Sequence, residues 1–316
     1  MQLDRTHVAI RSRTFSEIGD LAFMLIRQYP QAILVGLSVG VLPWLVADTL
    51  LLGWLPWSET ATVAYDEETL VSRYRYAFLT ATLIFLQAPL AGILTTYYIG
   101  QAVFEERPTW RNVFRETSRI APRLLWSLGV FRGAIPAMFV VGLAWSEIIS
   151  AGAETFWLVL ILIWAMAVRS FRPFLPEILV LERCPLRKGK ADQITARRRS
   201  SLLHSPIGGD LLGRFMLGGV LFVLLACALF FSAMWANQQL FNSVRWSLVN
   251  MLVLLPVSLW LTVGLATVIR FLSYLDSRIR LEGWEVELML RAEAMRQFGD
   301  HTSPPKTAPV AGGTSS

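Results

Sequence analysis

The sequence predicts an all-α polytopic membrane protein, a bundle of six transmembrane helices with interfacial amphipathic helices at both ends. Three observations carry this. Hydrophobic residues make up 54% of the 316-residue chain and charged residues 16%, too few charges to cover a soluble core of that size. Six runs, at about 31–55, 77–103, 124–145, 155–181, 211–236 and 247–273, reach or exceed the roughly 20 helical residues needed to cross a hydrocarbon core. The basic residues alternate from loop to loop. The side that receives the loops after the first, third and fifth runs has only Arg73, Arg75 and Arg245, and Arg132, Arg169 and Arg172 lie within runs. The rest of the 29 Lys and Arg sit at the other end or in the span turns beside it, which by the positive-inside rule places both termini in the cytoplasm of a bacterial-type inner membrane.

In chain order, residues 1–30 form a cytoplasmic lead-in. They lack a compact apolar region before a small-residue cleavage site, so no cleaved signal peptide is expected. Within them Phe15, Ile18, Leu21, Met24 and Leu25 recur at helical spacing, giving an amphipathic helix that either lies on the inner surface or leads into the first span. Gly36 and Gly40 form a GxxxG in the first span, which permits close helix contact. Pro43, Pro89, Pro136 and Pro256 predict kinks inside four spans. A long basic connection, about 182–210, follows the fourth span. An interfacial helix is expected over 276–298, and residues 299–316 have the composition of a disordered tail.

The net charge of +6 and pI near 9.7 follow from this topology, so nucleic acid is not an expected partner. Cys184 and Cys227 fall in different environments, and His7, His204 and His301 share no ligand spacing. Neither a disulfide, a metal nor a cofactor is expected. No HExxH, CxxC or phosphate-loop motif occurs, and the chain reads as non-enzymatic.

Charge inside the spans is the unusual feature. Arg132 lies about 12 Å past Leu124 along a helix, and Arg169 lies at a comparable depth in the fourth run. Each needs a carboxylate, carbonyls, water or a lipid phosphate, because an unpaired charge at the bilayer centre costs about 2.5–3.5 kcal/mol or more. Glu177 and Asp48 are the acids within spans. Arg132, Arg169, Arg172 and Glu177 therefore read either as packing charges that snorkel or pair, or as a pocket for an anionic lipid headgroup. Arg197, Arg198 and Arg199, with Arg187, Lys188 and Lys190, read as a topology signal, an attraction for anionic lipids or a site for an acidic partner. At the end of the last span Asp276 and Arg280, and likewise Arg278 and Glu282, are one helical turn apart and suited to ion pairs. That end serves either as an interfacial anchor or as a docking surface.

Three stretches resemble bacterial six-helix membrane proteins typified by the membrane domain fused to some glycerophosphoryl diester phosphodiesterases. They are GQAVFEERPTWRNVFRETSRIAPRLL at 100–125, FLPEILVLERCPLRKGKADQITARRRSSLL at 174–203 with Glu182 and Arg199-Ser200, and RFLSYLDSRIRLEGWEVEL at 270–288. In the last, Tyr274, Asp276, Arg278, Arg280, Glu282 and Gly283 match that group's ending. The resemblance implies the six-helix fold. It carries no activity over, since no phosphodiesterase domain accompanies these stretches, and KGKADQ lengthens the fourth loop. The leading expectation is a scaffold or accessory to a membrane or cytoplasmic partner. The alternative is a lipid-handling or solute-transporting protein with an anionic-headgroup site at the inner leaflet.

Overall fold

A computed structural model describes residues 13–59, 67–104, 108–146, 151–186, 194–241 and 247–282. All regular structure among them is helical, and six helices are long and apolar enough to cross a membrane: Ala32–Leu52, Val71–Val103, Trp110–Ala144, Gly152–Phe171, Gly208–Phe241 and Asn250–Glu282. The protein is a polytopic α-helical membrane protein. Residues 283–298 of the expected interfacial helix, the tail at 299–316, and Arg187, Lys188 and Lys190 lie outside the described residues.

The elements run α1 (Phe15–Gln28), a π-helical turn at Ala32–Leu37 leading into α2 (Ser38–Leu52), and short α3 (Trp54–Glu59). The second span joins α4 (Glu67–Ala91) to α5 (Ile93–Phe104). The third joins α6 (Trp110–Leu124), a π-helical stretch at Leu125–Ala134 and α7 (Ile135–Ala144). Then follow α8 (Ala151–Phe171), α9 (Leu175–Leu181), α10 (Ala196–His204), α11 (Gly208–Phe241), a π-helical turn at Asn250–Leu254 and α12 (Leu255–Glu282). Two of the π-helical stretches end just before Pro136 and Pro256. A proline removes one amide donor and crowds the carbonyl four residues back, and a wider turn accommodates both.

Thr14 and Glu17 close a capping box that starts α1, and the helix buries Ile18, Ala22 and Leu25 against α12. Phe23 and Met24 remain exposed, so the buried stripe is narrower than the apolar spacing implied. The Arg13 amide donates to Asp276 at 2.8 Å, which brings the described N- and C-terminal ends to one end of the bundle. At that end Tyr97, Phe174, Ile178, Phe271 and Tyr274 pack in one core. Leu79, Leu83, Val140 and Phe230 form another toward the opposite end, and Leu37, Val41, Ile84, Ala91 and Trp260 form a third.

The two glycines of the GxxxG do bring helices together within the chain. A Cβ on Gly40 would run into the carbonyl oxygen of Ala91, and one on Gly36 would crowd Thr95 and Trp110. Gly40→Leu should force α2 off α4 and cost about 1–3 kcal/mol, read as a lower unfolding temperature in detergent. An unchanged midpoint would mean that α2 can shift freely.

The fourth span departs from expectation. It ends at Phe171, not near residue 181; the chain turns through Arg172, Pro173 and Phe174 and re-enters as the seven-residue α9. Pro173 cannot donate to the preceding turn, and Pro176 at the start of α9 suits a first turn, whose amides need no intrahelical partner. Phe174 through Val180 are all buried, so this apolar run is protein core, not membrane span.

Candidate headgroup site and its ion-pair frame

Two layers of charge occupy the end of the bundle that carries α1 and the last turns of α12. The outer layer is centred on Glu182. Arg199 donates to its carboxylate through Nε at 2.5 Å and Nη2 at 3.0 Å, and Tyr274 donates through its hydroxyl at 2.6 Å. Arg199 also reaches Glu282, and Arg278 closes the ring onto Glu282 at 2.7 Å one turn away on α12. The following residue, Arg183, has φ of 53°, the left-handed region that often terminates a helix. That backbone reversal sends Arg183 the opposite way from Glu182, to Glu116 at 3.1 Å and to the Tyr97 hydroxyl at 3.1 Å. One residue pair thus joins α9 to α5 and α6 on one side and to α10 and α12 on the other.

Asp276 is buried and receives the Arg13 amide, Arg280 at 3.0 Å and Arg214 of α11 at 3.2 Å. Both local pairs expected on α12, Asp276 with Arg280 and Arg278 with Glu282, therefore form. Arg197 and Arg198 stay exposed on α10, whereas Arg199 of the same triplet turns inward.

The inner layer gathers the intramembrane charges. Arg169 pairs with no carboxylate among the described residues. It donates to the carbonyls of Phe85 and, at 3.2 Å, Leu86, with its guanidinium 3.8 Å over the Phe85 ring. The reason lies in α4. Pro89 has no amide to give the carbonyl four residues earlier, so Phe85 is left with an oxygen that Arg169 fills. Glu177 pairs with neither Arg132 nor Arg169, correcting the expected pairing. It is fully buried and binds Arg270 of α12 at 2.6 Å, near where Phe174 at the start of α9 meets Tyr274 of α12.

The side chains of Arg132 and Arg172 have no hydrogen bond or ion pair among the described residues, yet each guanidinium lies within electrostatic reach of the other. Arg169 feels both Arg270 and Arg132. Four arginines, from the third, fourth and sixth spans and the turn after the fourth, thus lie in one cluster in which Glu177 binds Arg270. The Glu177 Oε2 and Arg270 Nη2 atoms are buried without a hydrogen-bond partner among the described residues.

His204 at the end of α10 borders this cluster. Its Nε2 accepts from the Phe174 amide at 3.3 Å, and its Nδ1 lies 2.5 Å from the Ser200 carbonyl, which fixes a neutral ring protonated on Nδ1. Burial lowers its pKa from the ordinary 6.5; the Ser200 bond opposes this, and the nearby charges of Arg172 and Arg132 add to the lowering. The native state then binds fewer protons than the unfolded one. Its contribution to stability is complete above about pH 6.5 and is lost as pH falls through that value. Unfolding midpoints measured between about pH 7.5 and 5.5 should fall, and His204→Asn, which keeps a donor, should flatten the decline. A decline of equal slope in that variant would assign the effect elsewhere.

Asp48 of α2 accepts from Gln87 of α4 at 2.6 Å, and its other carboxylate oxygen is buried without a partner among the described residues. At the far end Arg75 binds Glu154 at 2.8 Å and the Ala144 carbonyl at 3.0 Å.

Of the residues singled out from sequence, Arg132, Arg169, Arg172 and Glu177 converge on the inner layer, and Arg199, Arg278 and Glu282 on the outer. Asp276 and Arg280 form a third group. Arg270 was missed as a member of the inner cluster because it sits near the end of its span, where a basic residue reads as a topology signal. Glu182 and Tyr274 were visible only through the resemblance. The chain matches no protein-family model, no curated protein and no solved structure.

Proposed function

We propose that this is a non-enzymatic lipid-handling membrane protein that holds an anionic headgroup in the inner arginine layer, with the basic end and both termini on the cytoplasmic side of the inner membrane. The observation that carries the reading is the charge imbalance. Of Arg132, Arg169, Arg172 and Arg270, only Arg270 binds a carboxylate among the described residues, that of Glu177, and the side chains of Arg132 and Arg172 carry no partner there. Uncompensated charge in a membrane bundle is costly, and a basic pocket between helices on the cytoplasmic side suits an anionic lipid. The outer ring around Glu182 acts as a frame, since its charges already satisfy one another.

The test is native mass spectrometry of gently extracted protein, wild type beside Arg132→Gln and Arg172→Gln. A retained anionic lipid that both variants lose, with helicity unchanged, is the expected result. No bound lipid in any sample would overturn it and return the search to a scaffold, for which the exposed Arg197 and Arg198 offer a surface to an acidic protein. Turnover of a glycerophosphodiester or phospholipid by purified protein would contradict the non-enzymatic part.

A further inference from the structure

Resting on that reading, we infer that the inner arginine layer selects a phosphomonoester, a dianionic phosphate, over the singly charged phosphodiester of most anionic phospholipids. The first support is electrostatic. With Glu177 ionised, the four arginines leave three positive charges unbalanced within one cluster. The acids of the outer ring and of the Asp276 group cannot help. Glu182 and Glu282 are held by Arg199 and Arg278, and Asp276 by Arg214 and Arg280. A diester brings one negative charge, whereas a phosphate monoester brings about −1.5 to −2 near neutral pH. Residual charge is most costly where water is scarce, so the group that cancels more of it is favoured.

The second support is the donor inventory. Arg169 is committed to the carbonyls left open by Pro89, and Arg270 gives Nε to Glu177. That leaves the guanidiniums of Arg132 and Arg172 and the buried Nη2 of Arg270, which has no acceptor among the described residues. These three donor groups come from the third span, the turn after the fourth and the sixth span. A terminal phosphate offers three non-ester oxygens where a diester offers two, and planar guanidiniums bind such oxygens in pairs. His204 contributes no donor, because both ring nitrogens are engaged.

The surroundings favour a lipid as the carrier of that phosphate. Ile135 and Met138 follow Arg132 on α7, Phe171 precedes Arg172 on α8, and all three are exposed apolar side chains. They offer a surface for an acyl chain while the phosphate lies between the arginines. A soluble phosphate would leave this surface to bulk lipid.

The experiment uses the full chain, delipidated in detergent and incubated with phosphatidate or with phosphatidylglycerol of identical acyl chains. Bound lipid is read by native mass spectrometry and by the shift in unfolding temperature. Phosphatidate should bind about tenfold tighter, the change that one additional charge-assisted hydrogen bond produces. That preference should shrink in Arg132→Gln and Arg172→Gln; because the lipid comparison in wild type needs no variant, a poorly folding variant does not spoil it. Equal binding of the two lipids would overturn the monoester inference and leave the headgroup site standing. Binding of neither would overturn both. Displacement of phosphatidate by millimolar inorganic phosphate or glycerol 3-phosphate would keep the monoester chemistry and overturn the lipid-handling function.

Discussion

Arg199→Ala is expected to destabilise the protein by about 3 kcal/mol, one of the two largest single-site effects. The side chain is only 18% exposed and links two carboxylates from different elements, Glu182 after α9 and Glu282 at the end of α12. Its removal leaves both acids beside each other with Arg278 as their remaining guanidinium, and the Tyr274 hydroxyl still points at Glu182. Breaking a largely buried ion pair from one side costs more than the pair contributes, because the surviving charge is stranded. The measurement is the unfolding midpoint in detergent, run as a cycle with Glu182→Gln. If the ring acts as a unit, Arg199→Ala should cost much less in the Glu182→Gln background than alone. Additive losses would mean that Arg199 works mainly through Glu282.

Glu177→Gln is the second, and its signature is a pair of opposite effects. The substitution keeps the shape and an oxygen for Arg270 but removes the carboxylate bound within the arginine cluster. Glu177 is fully buried, so the delipidated protein should lose about 3–5 kcal/mol of stability. The same change raises the unbalanced charge of the pocket, so an anionic lipid should bind more tightly and recover much of the loss by mass action. A stability scan with and without phosphatidate separates the cases. A destabilised variant that the lipid does not rescue would make Glu177 a packing partner of Arg270 and count against the headgroup site.

The elements of the fold were legible because hydrophobic length is a local property. Each span announces itself through a run of apolar residues, and the charges between runs reveal the alternation of sides. The fourth span shows where that logic stops. The run up to Leu181 is apolar enough to look membrane-embedded, but apolarity does not distinguish burial in lipid from burial in protein. Pro173 and Pro176 were the local signals of a break, and they acquire meaning only once α9 is seen to pack inside the bundle.

By itself, the sequence determined that this chain is a six-span helical membrane protein with its basic residues gathered at one end, and that Arg132, Arg169 and Glu177 needed partners. It also placed Asp276 with Arg280 and Arg278 with Glu282, because a helix fixes neighbours one turn apart. The identities of the long-range partners were decided only by tertiary structure. Arg169 meets a carbonyl that Pro89 freed on another span, Glu177 meets Arg270, and Glu182 collects Arg199 and Tyr274. The physical reason is that hydropathy fixes how deep a residue sits, whereas its partner depends on the rotation and kink of each helix. Those are set by bundle packing at positions such as Gly40 against Ala91.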